Sequence, residues 1–319
     1  MESVEQNSVG APSWCPVRPE DCLAFVFLIG VITLSVLSRE VPSLLDSLLG
    51  LWPVVVVLGS ASVPVYWYGC RHGGGRPHGR RLVRKTAREV APAVFCLSFY
   101  LMLHHLTPDL DRPLLDPRLS SLDRSIFGGD AGVWLQRRVG SDMTTAILTG
   151  CYLSVAIVPA AYTALLYLRS HYQHFREVVL AVTTCMLSSY AVYLVSPAVG
   201  PHVYRGPVGV NLVSNESRAP ALRMIAVIQG DARDAFPSVH AAVVFVILWY
   251  MFRNYRKLFW SFLPVGIGVV LATVYLEVHY FIDVVAGAAA AAAGILSATV
   301  YARIQGFEPA RLAPERARH

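Results

Sequence analysis

The distribution of charge limits this chain more than any other feature. Apolar runs, most of them near twenty residues long, alternate with short segments in which Lys and Arg collect. Charged residues make up 15% of the 319 and apolar residues 55%, against about 25% charged in a soluble domain. A helix needs roughly 20 apolar residues to cross about 30 Å of hydrocarbon, and only helices and closed barrels satisfy their backbone there. An all-α polytopic membrane helix bundle is therefore expected. Its eight expected segments are 22–38, 48–69, 91–107, 143–169, 177–197, 238–252, 258–276 and 280–303.

The basic residues set an orientation. Arg71, Arg76, Arg80, Arg81, Arg84, Lys85 and Arg88 share one loop, 71–89. Arg169 and Arg176, then Arg253, Arg256 and Lys257, then Arg311, Arg316 and Arg318 fall on the same side if eight segments cross. That side is cytoplasmic by the positive-inside rule. Both termini are then cytoplasmic, and the long loops 108–142 and 198–237 lie on the opposite face. The net charge of +6 does not point to nucleic acid, because the basic residues lie between apolar runs and form no folded basic face. The first twenty residues hold Glu2, Glu5, Glu20 and a single Arg18. That is no basic leader, so the first apolar run is expected to stay as a membrane helix.

Loop 108–142 mixes Asp109, Asp111, Asp116, Asp123 and Asp130 with Arg112, Arg118, Arg124, Arg137 and Arg138, and adds Ile126, Phe127, Trp134 and Leu135. Short helices lying on the membrane surface are expected there. The alanine-rich run near 286–294 sits inside the last segment, where small residues allow close helix packing. Cys15, Cys22, Cys70, Cys96, Cys151 and Cys185 show neither CxxC pairing nor His at metal spacing. They read as buried small hydrophobes.

Two segments carry chemistry. In HYFID, His279 and Asp283 are four residues apart. On a helix they share a face one turn apart. The carboxylate can accept from one imidazole nitrogen, which leaves the other as an aimed lone pair able to act as nucleophile. In FPSVH, Pro237 suits a first helical turn, Ser238 can help cap it, and His240 follows in that turn. Free N–H groups at a helix start attract phosphate. Both segments abut the non-cytoplasmic face on the charge argument. A third segment, SPAVGPHVYRGP, ends the fifth span with His202, Tyr204 and Arg205, and an arginine there can fork onto phosphate oxygens. Glu277 is read as surface-facing and takes no role.

These residues resemble the type 2 phosphatidic acid phosphatase superfamily. Pro237-Ser238-Val239-His240 is similar to its PSGH-like signature, with Val for Gly. His279 and Asp283, beginning 39 residues after His240, are similar to its His-x-x-x-Asp signature. The fit is closest to the inositol phosphorylceramide synthase branch, which has FPS-x-HA, a segment like TVYLEVHYFID, and a proline-rich helix end like SPAVGP. The superfamily's lysine is absent, and Thr273 stands where its second-signature arginine would be.

The resemblance implies a six-helix phosphatase-like core within 107–304. Residues 1–106 then form an N-terminal membrane region with its basic loop, and 305–319 a basic tail. It implies that His279 attacks phosphorus to form a phosphohistidine, that Asp283 orients it, and that His240 serves as acid and then base. Ser238, Arg205, His202 and Tyr204 are the candidates to hold phosphate. The scheme needs no metal and no cofactor. The implied partners are a lipid phosphate or phospholipid and a water or lipid hydroxyl acceptor. Phosphatase and phosphotransferase both stay open, the latter with an inositol phosphate-like headgroup. A transporter or scaffold with a structural His–Asp pair is the competing reading, and a His/His/Asp metal site lacks a further ligand cluster.

Overall fold

The structure, a computed structural model, describes residues 18–37, 76–110, 112–205 and 233–306. Among these residues the fold is all helix, with one isolated parallel bridge between Ala198 and Asp234. In chain order the helices are α1 (Pro19–Leu37), α2 (Arg76–Asp109), α3 (Asp116–Phe127), α4 (Ala131–Val139), α5 (Asp142–Leu153) and α6 (Ile157–Leu168). They continue as α7 (Tyr172–Val195), α8 (Pro201–Tyr204), α9 (Val239–Asn254), α10 (Arg256–Tyr275) and α11 (Phe281–Ile304). The all-α polytopic bundle expected from hydropathy is what forms.

Four stretches are long and apolar enough to span a membrane: 88–109 in α2, α7, α10 and α11. The pair α5 and α6 makes a fifth if taken as one bent span, and α9 is apolar but shorter. The expected segment 48–69 lies outside the described residues.

Two boundaries differ from the sequence reading. The basic stretch expected as a loop is helical from Arg76 onward and runs without interruption into the apolar part of α2. Arg, Lys, Ala and Glu are good helix formers, so loss of hydropathy does not end a helix. The expected span 143–169 breaks after Leu153, and its halves are bent by 42°. Pro159 lacks the N–H that would bond the Val155 carbonyl, and its ring crowds that carbonyl. Ser154 closes the first half by bonding back to the Cys151 carbonyl through its own hydroxyl, at 2.6 Å.

Helix α7 is the hub, packing on α11, α9, α2, α1 and α6, while α9 also packs on α10 and α11. Tyr162, Val178, Ala181, Cys185, Val246, Ile247, Ala291 and Ala298 share one buried cluster. On α11 the buried residues Gly287, Ala291, Gly294, Ala298 and Ala302 recur every three or four positions. A methyl added to Gly294 would strike the Ala181 carbonyl of α7, and one on Gly287 would strike the Ser238 carbonyl at the start of α9. The small-residue face of α11 thus sets how closely the two histidine segments approach. The bundle is tied by ion pairs Arg18–Glu89 at 2.7 Å and Arg176–Glu20 at 3.0 Å. Arg253, at the far end of α9 from His240, lies 3.5 Å from Glu177.

The loop expected to hold short helices holds α3 and α4. Their burial is what the sequence did not show: Asp116, Asp123 and Gln136 are all buried.

Candidate active site

Helix α9 begins where the sequence placed it, with one adjustment. Ser238 is the N-cap, and its Oγ accepts the Ala241 N–H at 3.3 Å. Pro237 therefore precedes the cap instead of sitting in the first turn, and His240 is the second helical residue. The ladder of α9 does not use the N–H groups of Val239 and His240, since a helix leaves its first N–H groups unpaired. The Pro237 carbonyl accepts from the Tyr193 hydroxyl at 2.9 Å, and Tyr152 stacks on the His240 ring with centroids 5.0 Å apart.

His279 differs more from expectation. It is not on a helix: α10 ends at Tyr275 and α11 starts at Phe281. Between them Glu277 takes φ +60°. The N–H of Glu277 donates to the Val274 carbonyl, and those of Val278 and His279 donate to the Thr273 carbonyl, each at 3.0 Å. This is a Schellman closure with glutamate where glycine is usual. The left-handed conformation turns the chain back within four residues and brings His279 to the start of α9.

The two rings meet there. His240 Nδ1 is 3.1 Å from His279 Nε2. His279 Nδ1 is 2.7 Å from the Ala235 carbonyl oxygen. A carbonyl only accepts, so Nδ1 carries the proton and Nε2 of neutral His279 presents its lone pair to His240. The orienting acceptor is thus a backbone carbonyl and not the aspartate expected from the spacing. Asp283 Oδ2 sits 3.6 Å from His279 Nδ1, beyond a hydrogen bond. That oxygen instead accepts the Tyr280 N–H at 2.7 Å in a capping box of α11. Asp283 Oδ1 is buried without a hydrogen-bond partner among the described residues. A further bond, from the Ser238 N–H to the Asp283 carbonyl at 3.0 Å, ties the two segments by their backbones.

Of the remaining sequence candidates, Ser238 is fully buried and its Oγ is engaged as the cap of α9. His202 lies beside the turn: its N–H donates to the Glu277 carbonyl at 2.9 Å, and its Nδ1 is 3.1 Å from the same oxygen. Arg205 pairs with Asp130 at 2.8 Å and lies 3.9 Å from the Glu277 carboxylate, with Nε buried and without a hydrogen-bond partner among the described residues. Tyr204 is 42% exposed at the end of α8.

Several residues at the site were not read from the sequence. Glu277 is buried, contrary to the surface reading, and Gln136 Nε2 bridges towards it while donating to the Tyr275 carbonyl at 2.7 Å. Asp116 accepts from the N–H groups of Val199 and Gly200, each at 3.0 Å, and from the Tyr280 hydroxyl at 3.1 Å. Asp123 accepts from the N–H groups of Phe281 at 2.9 Å and Ile282 at 3.1 Å. Burial raises both carboxyls above their usual range, and the donors pointed at them work against that rise. The one sequence signal for the pair is their spacing of seven, which puts both on one face of a helix.

A family model described as the PAP2 superfamily matches residues 117–297, more than half of the chain. The match begins one residue into α3 and runs through most of α11, so it takes in every residue of the cluster just described except Asp116. No curated protein matches the chain, and no solved structure does.

Proposed function

The chain belongs to the PAP2 superfamily, which supports a phosphatase-type lipid phosphoesterase activity, and we propose that this membrane protein acts on a lipid-linked phosphoester through a phosphohistidine on His279. The observation that carries the reading is the 3.1 Å contact between His240 Nδ1 and His279 Nε2, with His279 Nδ1 fixed on the Ala235 carbonyl.

In the proposed reaction the phosphoryl group enters between the rings and opens their contact. The bound anion stabilises the imidazolium form of His240. The Nε2 lone pair attacks phosphorus as the bond from phosphorus to the lipid oxygen breaks, and His240 delivers its proton to that oxygen. The N-phosphoryl imidazole keeps a proton on Nδ1, and the Asp283 carboxylate offsets the resulting positive charge. His240, now neutral, takes the proton of an incoming hydroxyl. That oxygen attacks phosphorus, the P–N bond breaks, and its electrons return to Nε2. Water as acceptor gives a phosphatase; a lipid hydroxyl gives a phosphotransferase. The FPSVHA and TVYLEVHYFID segments favour transfer of an inositol phosphate-like headgroup by resemblance.

For phosphate binding, the Val239 and His240 N–H groups point out of the α9 start. Arg205 is the cation we assign to the phosphate, because it lies against Glu277, two residues before His279. His202 and Ser238 are the further side chains we assign around the phosphate, with Tyr204 beside Arg205. We place the site on the non-cytoplasmic face. Arg176 and Arg253 are on α7 and α9 at the ends away from the histidines, and basic ends face the cytoplasm.

The test uses purified protein with a panel of lipid phosphomonoesters and phosphodiesters, scored for released phosphate and for transferred headgroup. Acid-labile phosphoryl label on wild type, lost in His279→Ala, is the expected result. Wild-type turnover retained in full by His279→Ala would sink the mechanism.

A further inference from the structure

Helix α3 carries two buried carboxylates that the reaction scheme leaves unused. The two carboxylates bond not to the histidine rings but to the backbone around the His279 turn. Asp123 grips two successive N–H groups, Phe281 at 2.9 Å and Ile282 at 3.1 Å. These are the first two residues of α11, whose N–H groups a helix leaves unpaired. Seven residues earlier on the same face, Asp116 grips Val199 and Gly200 at 3.0 Å each. It also accepts the Tyr280 hydroxyl at 3.1 Å, from the residue directly after His279. Asp283 accepts the Tyr280 N–H from the other side. The turn 277–280 is short and starts from a left-handed glutamate. Besides these carboxylates, the turn is held by its own N–H groups donating to the Thr273 and Val274 carbonyls, by the Ala235 carbonyl, and at Glu277 by His202, Gln136 and Arg205.

Two consequences follow. The N-terminus of α11 is filled by a protein carboxylate, so an incoming phosphate cannot use it and would meet a negative charge there. Of the two helix starts at the site, α9 is the one left for an anion. The second consequence is mechanical. A carboxylate that accepts two N–H groups at once fixes direction as well as distance, so α3 sets where His279 Nε2 points.

We infer that Asp116 and Asp123 are positioning residues that clamp the His279 turn and the start of α11 against the 199–200 segment, holding Nε2 in line with His240. The inference rests on the phosphohistidine reading for its effect on rate, but the clamp itself is independent of it.

The experiment compares wild type with Asp123→Ala, Asp123→Asn and Asp116→Asn in detergent or nanodiscs. It measures hydrogen exchange of the 277–284 backbone, steady-state kcat and KM, and the single-turnover rate of His279 labelling. In Asp123→Ala the 277–284 amides are expected to exchange at least about tenfold faster while those of α7 stay unchanged. Labelling and kcat are expected to fall about 10²-fold, the cost of a misplacement on the order of 1 Å, with KM within about threefold. Asp123→Asn keeps one acceptor oxygen and is expected to recover part of the rate, which a purely structural loss would not give. Asp116→Asn serves if Asp123→Ala does not fold. Unchanged exchange at 277–284 in folded variants overturns the clamp, and unchanged labelling in those variants, with wild type active, overturns the positioning role. A wild type inactive on every phosphoester, with exchange still altered in the variants, defeats the phosphohistidine reading and leaves the clamp standing.

Discussion

The two histidines reach the same point by different means. His240 rides on the second residue of a 16-residue helix, capped by its own neighbour Ser238. His279 sits between helices, on a turn closed through Glu277 and held by Ala235, Asp116 and Asp123 from up to 164 residues away in sequence. The first is positioned by local structure that a helix start supplies almost anywhere. The second is positioned by tertiary contacts that no segment contains alone. An acid–base group needs reach and can tolerate a helix's small motions. The nucleophile we propose needs a set direction for one lone pair, and the Ala235 carbonyl on the Nδ1 side of His279 supplies it.

The comparison can be broken most severely at His279, the proposed nucleophile. His279→Ala is expected to reduce turnover by at least about 10³-fold on every substrate, as loss of a covalent nucleophile does. His240→Ala is expected to cost about 10²–10⁴-fold on an alkyl phosphoester, the usual worth of general acid–base catalysis. The loss should shrink sharply for the first step with a p-nitrophenyl leaving group, which departs without a proton. Equal losses on both substrates would contradict the division of labour between the rings.

Asp283→Asn keeps an acceptor for the Tyr280 N–H but removes the charge 3.6 Å from Nδ1. An opposite charge at this range favours the charged form by about 10- to 10³-fold. A kcat loss in that range is expected, with the label on His279 forming more slowly; an unchanged rate would make Asp283 a helix cap only. Gly287→Val tests the approach of the two segments, because its Cβ would meet the Ser238 carbonyl at 2.5 Å. Destabilisation of about 1–3 kcal/mol is expected from such overpacking, read as a lower thermal midpoint together with reduced kcat. The smallest effect belongs to the locally determined side. Ser238→Ala is expected to cost about 1 kcal/mol of stability through the lost cap and to leave a folded, active protein; a loss as deep as that of His279→Ala would give the Ser238 hydroxyl a direct part in phosphate binding.

The positions of α7, α9, α10 and α11 were legible because hydropathy over twenty residues is a property of the segment itself. The break at Ser154–Ala156 was less so, because a proline inside an apolar run can kink a helix or end it. Asp116 and Asp123 stood in plain view in a loop rich in Asp and Arg, and only their spacing of seven set them apart. Glu277 read as a surface residue because one turn of sequence cannot show a left-handed closure. Its left-handed φ became visible only with the turn folded.

By itself the sequence determined an all-helical membrane bundle and singled out His240, His279 and Asp283, since apolar run length and the rarity of ionisable groups at span ends are written residue by residue. The tertiary structure decided what holds His279. Its Nδ1 partner is the Ala235 carbonyl, and a backbone oxygen has no side-chain signature. The carboxylates on α3 act on backbone N–H groups for the same reason without trace in the partner's sequence. Local periodicity can single out candidate side chains; only the packing of distant backbones sets where the His279 lone pair points.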